Sequence, residues 1–281
     1  MQNIYWYCMF IFVGSGIMIY VIHKKKNAGD IIAFWLAEVA LVFIGEIVVL
    51  FMFEGYRYKT ELFADPFANN VIGHVIPNIF LWGTAGVLVG ACRLSYRWIA
   101  ALVAVFMSIE WFFLKAGLYE HYWWRLYMTL IAISLYLLLA RKLYAVLARG
   151  RYAHIRNAAF VLIGIVVLHT PSIGFLLLDM QFYDPDWTGN IYRDSILFGV
   201  FYHGLNSAFA VMCFRRLHNV LRILLPMVVL FFFDAILYKL HILILENGMN
   251  MWGNMIAGAG SIVLFSLLER YTLRLKAKTY A

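Results

Sequence analysis

Nine predominantly apolar runs succeed one another along the chain, at about 4–22, 31–53, 71–92, 98–118, 123–144, 157–178, 195–214, 221–245 and 252–268. A helix rising about 1.5 Å per residue needs roughly 20 such residues to cross about 30 Å of hydrocarbon. A spanning segment must satisfy its own backbone hydrogen bonds, which leaves the helix as the solution for runs of this length. Composition agrees. Hydrophobic residues make up 64% of the 281 and charged residues 14%, where a soluble domain carries about a quarter charged. No long polar stretch remains to build a soluble catalytic domain. The expected architecture is an all-α, polytopic membrane helix bundle with nine transmembrane helices, one integral membrane domain over 1–281.

The basic residues orient it. Placing Lys24–Lys26 in the cytoplasm puts all but six of the 23 Lys and Arg residues on the same side; the exceptions are Arg57, Lys59, Lys115, Arg125, Arg193 and Lys239. The positive-inside rule then sets the N-terminus outside and the C-terminus in the cytoplasm of a multi-pass cell-membrane protein. Trp123 and Trp124 open the fifth run outside, Trp252 opens the ninth, and Trp98 marks the inner edge of the fourth, as interfacial indoles do. Positive charge follows the first run, at His23-Lys24-Lys25-Lys26. A cleaved signal peptide carries it ahead of the apolar stretch, so this segment is expected to stay as a helix. The net charge of +8 points to anionic lipids on the cytoplasmic side as partners and away from nucleic acid. Other membrane subunits, or further copies of the chain, are the remaining partner class. Cys8, Cys92 and Cys213 lie too far apart in sequence for a disulfide framework or a metal knuckle.

A parallel duplication of a four-helix unit is expected, with 30–150 as one copy, 151–281 as the other and 1–29 as an added N-terminal helix. Ala40–Leu50 resembles Ala159–Leu168, Asp65-Pro66 resembles Asp184-Pro185, and Cys92 resembles Cys213. Glu110 and Lys115 stand five residues apart, as do Asp234 and Lys239; Trp124 and Trp252 come next in each copy. An even number of spans gives both copies one orientation.

Ionisable residues at membrane depth cost at least about 2.5–3.5 kcal/mol on insertion scales and mark functional sites by default. Counted from the span ends, Glu110, His169 and Asp234 lie about 18 Å from the cytoplasmic edge, and His203 lies about 14 Å from the outer edge. Glu46 is nearer the outside and Glu38 nearer the cytoplasm. Glu46, Glu110, His169, His203 and Asp234 are the candidate ligand or proton site, with His169 and His203 the candidate metal ligands. The alternative is that each histidine makes one hydrogen bond and pins helices together. In the outer loop, Tyr56, Asp65 and Asn69 are binding candidates, unless the loop is a packed cap. The sequence patterns of zinc proteases, P-loop proteins and serine hydrolases are absent. Gly258-x-Gly260-Ser261 has no histidine paired with it, so no catalytic residue is assigned. Three function classes fit this pattern: a transporter- or channel-like protein with a polar, proton-coupled midplane site; a structural or receptor-like subunit of a membrane complex; and a haem- or metal-dependent membrane enzyme.

Residues 30–150 also carry Glu54-Gly55-Tyr56 at the end of the second run, Glu110 followed by Tyr119-Glu120-His121-Tyr122-Trp123-Trp124, and Arg141-Lys142-Leu143-Tyr144 closing the fifth. In these the chain resembles a family of small, uncharacterised membrane proteins of spore-forming Gram-positive bacteria. The resemblance implies a bacterial cell membrane and carries no activity with it. The topology is testable by cysteine labelling. An impermeant reagent applied to intact cells should modify a cysteine in the loop after the second run and spare one in the Arg141–Arg156 segment. The reverse pattern overturns the orientation.

Overall fold

A computed structural model describes residues 3–150 and 152–274. Among them, nine helices are long and apolar enough to span a bilayer: α1 (Ile4–Lys25), α2 (Ala28–Met52), α3 (Pro66–Cys92), α4 (Tyr96–Lys115), α5 (Leu126–Arg149), α6 (Ala153–Leu177), α7 (Ile191–Arg216), α8 (Leu221–Lys239) and α9 (Met251–Tyr271). The protein is an all-α, multi-pass integral membrane protein. Large apolar side chains such as Phe12, Leu135, Phe201 and Ile256 face outward. That would be costly in water and is neutral in hydrocarbon.

Two compact units partition the chain, one ending at Ile155 and the other covering Arg156–Arg274. In the first, α1 packs against α3, and α3 packs against both α2 and α5. Its apolar centre joins Ala85, Val89, Ile99, Val103, Phe106, Ile133 and Leu137 from α3, α4 and α5. In the second, α8 packs against α7 and α9. Each unit also holds a small antiparallel ribbon between its loops. β1 (Tyr56–Tyr58) pairs with β2 (Tyr119–His121) in the first, and β3 (Gln181–Tyr183) with β4 (Leu243–Leu245) in the second.

The ribbons correct two expected spans. The apolar runs 98–118 and 221–245 read as single helices, yet α4 stops at Lys115 and α8 at Lys239. A left-handed residue ends each helix, Gly117 (φ +72°) and His241 (φ +58°). The amides of Leu118 and Ile242 then reach back 2.9 Å to the carbonyls of Phe113 and Leu237, a Schellman closure. Beyond each closure the chain runs on as strand, and in the second unit that strand, Leu243–Leu245, is as apolar as the helix before it.

A single shift in numbering carries Ala28 to Ala153, Met52 to Leu177, Tyr58 to Tyr183 and Asn70 to Ser195; one residue less carries Glu110 to Asp234, Lys115 to Lys239 and His121 to Leu245. The polar fastenings obey the same shift. Asn70 Oδ1 accepts from the Tyr58 amide at 2.8 Å, and Ser195 Oγ accepts from the Tyr183 amide at 2.8 Å. Asn69 Oδ1 accepts from the amides of Leu62 and Phe63, and Asp194 Oδ2 from those of Trp187 and Thr188. Asp65, which caps α3, therefore stands opposite the capping Asn190. Its pairing with Asp184 in the sequence comparison lies in another register.

Two outcomes are expected. Gly14 lies against α3, where a methyl group would overlap the Phe80 carbonyl and come within 2.8 Å of its Cα, whereas Gly16 faces open space. Gly14→Ala should cost about 1–3 kcal/mol and Gly16→Ala no more than about 0.5 kcal/mol, read as thermal unfolding in detergent. The labelling of topology is best done at the exposed Ala64 and Arg149. Thr60 is fully buried, and Gly150 sits at φ +62°.

Candidate functional site

The first unit encloses a cavity of about 250 Å³ bounded by all five of its helices and by both strands of its ribbon. Two carboxyl groups line it, Glu46 and Glu110, and neither Lys nor Arg does. Glu46 stands at the last regular turn of α2, immediately before a π-helical stretch at Ile47–Met52. Its Oε1 accepts from the Tyr58 hydroxyl at 3.1 Å, while its Oε2 is buried and makes no hydrogen bond. His74 approaches that oxygen to 3.9 Å, beyond hydrogen-bonding distance. The same ring nitrogen is engaged by the Asn78 side chain at 2.7 Å. Glu110, on α4, accepts from the Thr129 hydroxyl at 2.9 Å and meets Nε2 of His121 at 2.8 Å. Glu38 is fully buried about two turns earlier in α2. Neither of its carboxyl oxygens makes a hydrogen bond, and the hydroxyl of the neighbouring Tyr136, which lines the cavity, donates to the Trp82 carbonyl at 3.0 Å.

An aromatic group closes the cavity at the ribbon. The rings of Tyr56, Tyr58 and Tyr119 are mutually in contact, with centroids 5.1 to 5.8 Å apart. Trp124 lies 6.0 Å from Tyr56, and Tyr7 lies 6.0 Å from Tyr58. Strand alternation puts Tyr56 and Tyr58 on one face, and register sets Tyr119 opposite Tyr58. Burial, then the neighbouring acid Glu46, pushes the phenols of Tyr56 and Tyr58 well above the ordinary 10.0. Tyr119 is raised by burial, Tyr58 and Glu46. These hydroxyls therefore remain donors. Outside the ribbon, Lys59 and Glu120 pair at 2.6 Å, with Glu120 held below its usual range by the lysine's hydrogen bond.

The corresponding space in the second unit is about 20 Å³, room for one water molecule. Asp234 is fully engaged there. Its Oδ1 accepts from the Tyr202 hydroxyl at 2.6 Å and its Oδ2 from the Asn254 amide at 3.0 Å. His203 fills the remainder, with Ser172 at 3.1 Å and the His169 ring at a centroid distance of 5.4 Å. His169 is accommodated by Gly199, where a methyl would come within 2.7 Å of its ring.

These positions revise the expected site. Glu46 and Glu110 share one cavity, and Tyr56 of the outer loop joins them. Asp65 and Asn69 do not line it: they hold the loop, Asp65 by capping α3 and Asn69 by accepting from three neighbouring donors. His169, His203 and Asp234 form a closely packed group in the second unit, and Glu110 takes its partners from the first. No group of three or more His, Cys, Asp or Glu suited to a metal ion occurs among the described residues, so the two histidines are not part of such a set. The space beside them is also far too small for a haem macrocycle. Sequence reasoning named Tyr58 only with the outer loop and missed Tyr119 as a site residue; the signal is a tyrosine just beyond a span that contains a glutamate. It also missed Glu269, which gathers Arg156 (2.9 Å), Arg215 (3.3 Å) and Arg222 (2.9 Å) and joins α6 to α9.

Comparison of the chain with known protein families, curated proteins and solved structures finds no match.

The tyrosine group has a signature in pH. Folded-state values above the ordinary 10.0 mean that the unfolded chain loses these protons first. Stability should hold below pH 10 and fall progressively above it. Alkaline titration followed by tyrosinate absorbance should find these three among the phenols that stay silent until the protein unfolds, and Tyr58→Phe and Tyr119→Phe should each reduce that late step. In the second unit, Tyr202→Phe should cost about 1–3 kcal/mol of stability, measured by thermal unfolding.

Proposed function

We propose that the protein moves a small solute across the membrane, coupled to protons, with the cavity of the first unit as its substrate site. The observation that carries this reading is the pair Glu46 and Glu110, held within an apolar enclosure of about 250 Å³ that contains no basic residue. Acids placed so expensively in hydrocarbon need a purpose, and their partners in the protein are hydroxyls and one histidine rather than Lys or Arg. Glu38, beside Tyr136 at the cavity's edge, extends the line of carboxyls towards the cytoplasm and gives protons a path. In this reading the N-terminus lies outside, the C-terminus lies in the cytoplasm of a bacterial cell, and anionic lipids meet the basic inner loops.

The two units descend from one duplicated ancestor, a reading supported by their shared element order and shared numbering shift. The second copy has become a scaffold. Asp234, satisfied by Tyr202 and Asn254, keeps the depth and spacing of Glu110 while its space is filled by side chains.

Vesicles reconstituted with the purified protein and loaded with a pH-sensitive dye test this. An imposed proton gradient should drive dye-reported flux that Glu46→Gln and Glu110→Gln each reduce at least tenfold, with both variants still folded. Asp234→Asn should lower thermal stability yet keep flux per folded molecule. Undiminished flux in the Glu46→Gln/Glu110→Gln double variant, or no flux in the folded parent protein, overturns the proposal.

A further inference from the structure

We infer that the cavity of the first unit selects a compact organic cation, an alkylammonium in which carbon surrounds the charge. The inference deepens the transport reading, on which it rests, by naming the class of substrate. Three features of the enclosure point the same way.

The first is charge. Glu46 is more than nine-tenths buried and lines the space, and one of its carboxyl oxygens makes no hydrogen bond. A neutral occupant would displace water from two acids and return nothing, which is the costly way to bury such groups. A cation returns the Coulomb attraction.

The second is the wall. Tyr56, Tyr58 and Tyr119 form a continuous aromatic surface, with Trp124 and Tyr7 beside it. Ring faces attract a diffuse cation by about 0.5–2 kcal/mol each, the larger figure where water is excluded. A bare calcium or magnesium ion takes six or more oxygen ligands, and beyond the carboxyls and hydroxyls these walls are largely hydrocarbon. A carbon-clad ammonium needs no such shell.

The third is size, read against the second unit. A cavity of about 150 Å³ holds benzene; about 250 Å³ suits an occupant of about ten non-hydrogen atoms. At the matching positions of the second unit the aromatic enclosure is interrupted by Gln181 where the first has Tyr56, and its acid is neutralised by hydrogen bonds from within. The same framework can thus satisfy its carboxyl internally. The first unit leaves that role to a ligand.

Isothermal titration and thermal shift on the full chain in detergent test the inference. The probes are choline, tetraethylammonium, potassium ion, and dimethylbutanol, the isostere of choline in which carbon replaces the ammonium nitrogen. One or both organic cations should bind, raise the melting temperature and alter tryptophan emission through Trp124; dimethylbutanol and potassium should bind at least tenfold more weakly. Tyr119→Leu should weaken cation binding about tenfold, the loss of about 1.4 kcal/mol, and Tyr119→Phe, which keeps the ring, should lose less. Glu110→Gln should narrow the gap between choline and its neutral isostere. If Glu110→Gln does not fold, the isostere comparison on the parent protein decides. Equal binding of dimethylbutanol, or binding of neither organic cation, overturns the inference. Cation binding without flux in vesicles overturns the transport reading alone. Proton flux that neither organic cation alters, in a protein that binds neither, overturns this inference and leaves transport standing.

Discussion

Inside a bilayer there is no water to complete a hydrogen bond, and the rest of this structure is a response to that shortage. Helices settle the backbone. At their ends, where amides and carbonyls would be left over, side chains step in: Asn70 and Ser195 hold the first strands of the two ribbons, Asn69 and Asp194 hold the loops behind them, and each short ribbon closes on its partner strand. Leu118 shows the economy of the arrangement. Its amide closes α4, and its carbonyl accepts both the Lys59 amide and the Tyr7 hydroxyl, so one peptide joins α1, α4 and the ribbon. At the other end of the second unit, Glu269 gathers three arginines and lets Arg156 lie buried without an orphaned charge.

Against that rule of internal satisfaction, the cavity of the first unit holds an exception. Asp234 obeys the rule, with a hydrogen bond to each of its oxygens. Glu46 has one oxygen bonded and the other bare. Both units face the same shortage and share one element order, so bilayer chemistry does not force the difference. Tyr202 and Asn254 reach an acid in one unit, and tyrosines surround an open space in the other.

The spans were legible because hydropathy over 20 residues is a strong signal in any membrane protein. Their ends were legible only where polar residues stood. At Lys115 and Lys239 the chain leaves the helix through Leu118 and Leu243–Leu245, whose apolarity hides the change to strand. Glu46 and Glu110 were visible as misplaced charges. Tyr56 was legible only as a binding candidate of the outer loop, and Tyr119 not at all, because a ring at a span's edge looks the same whether it faces lipid or folds back over a cavity. In the repeat comparison, the Ile- and Val-rich stretches align in a different register from the shift that relates the helix ends, whereas the acid-to-lysine spacing of α4 and α8 follows that shift, since charges in a membrane are rare enough to be informative.

The π-helical stretch after Glu46 has an arithmetic side. Such a stretch stores one residue more than an α-helix of the same rise, and here it lies between Glu46 and the first strand of the ribbon. Removing one residue from Ile47–Met52 while its wide winding persisted would rotate everything downstream by about 100°. Tyr58 would swing off Glu46, and Arg57 would face Tyr119 or His121 in place of Glu120. This stretch therefore has a counted length, as a gear has a counted number of teeth. Descendants of the chain can exchange its apolar side chains freely, but they cannot gain or lose a residue there without remeshing the whole ribbon.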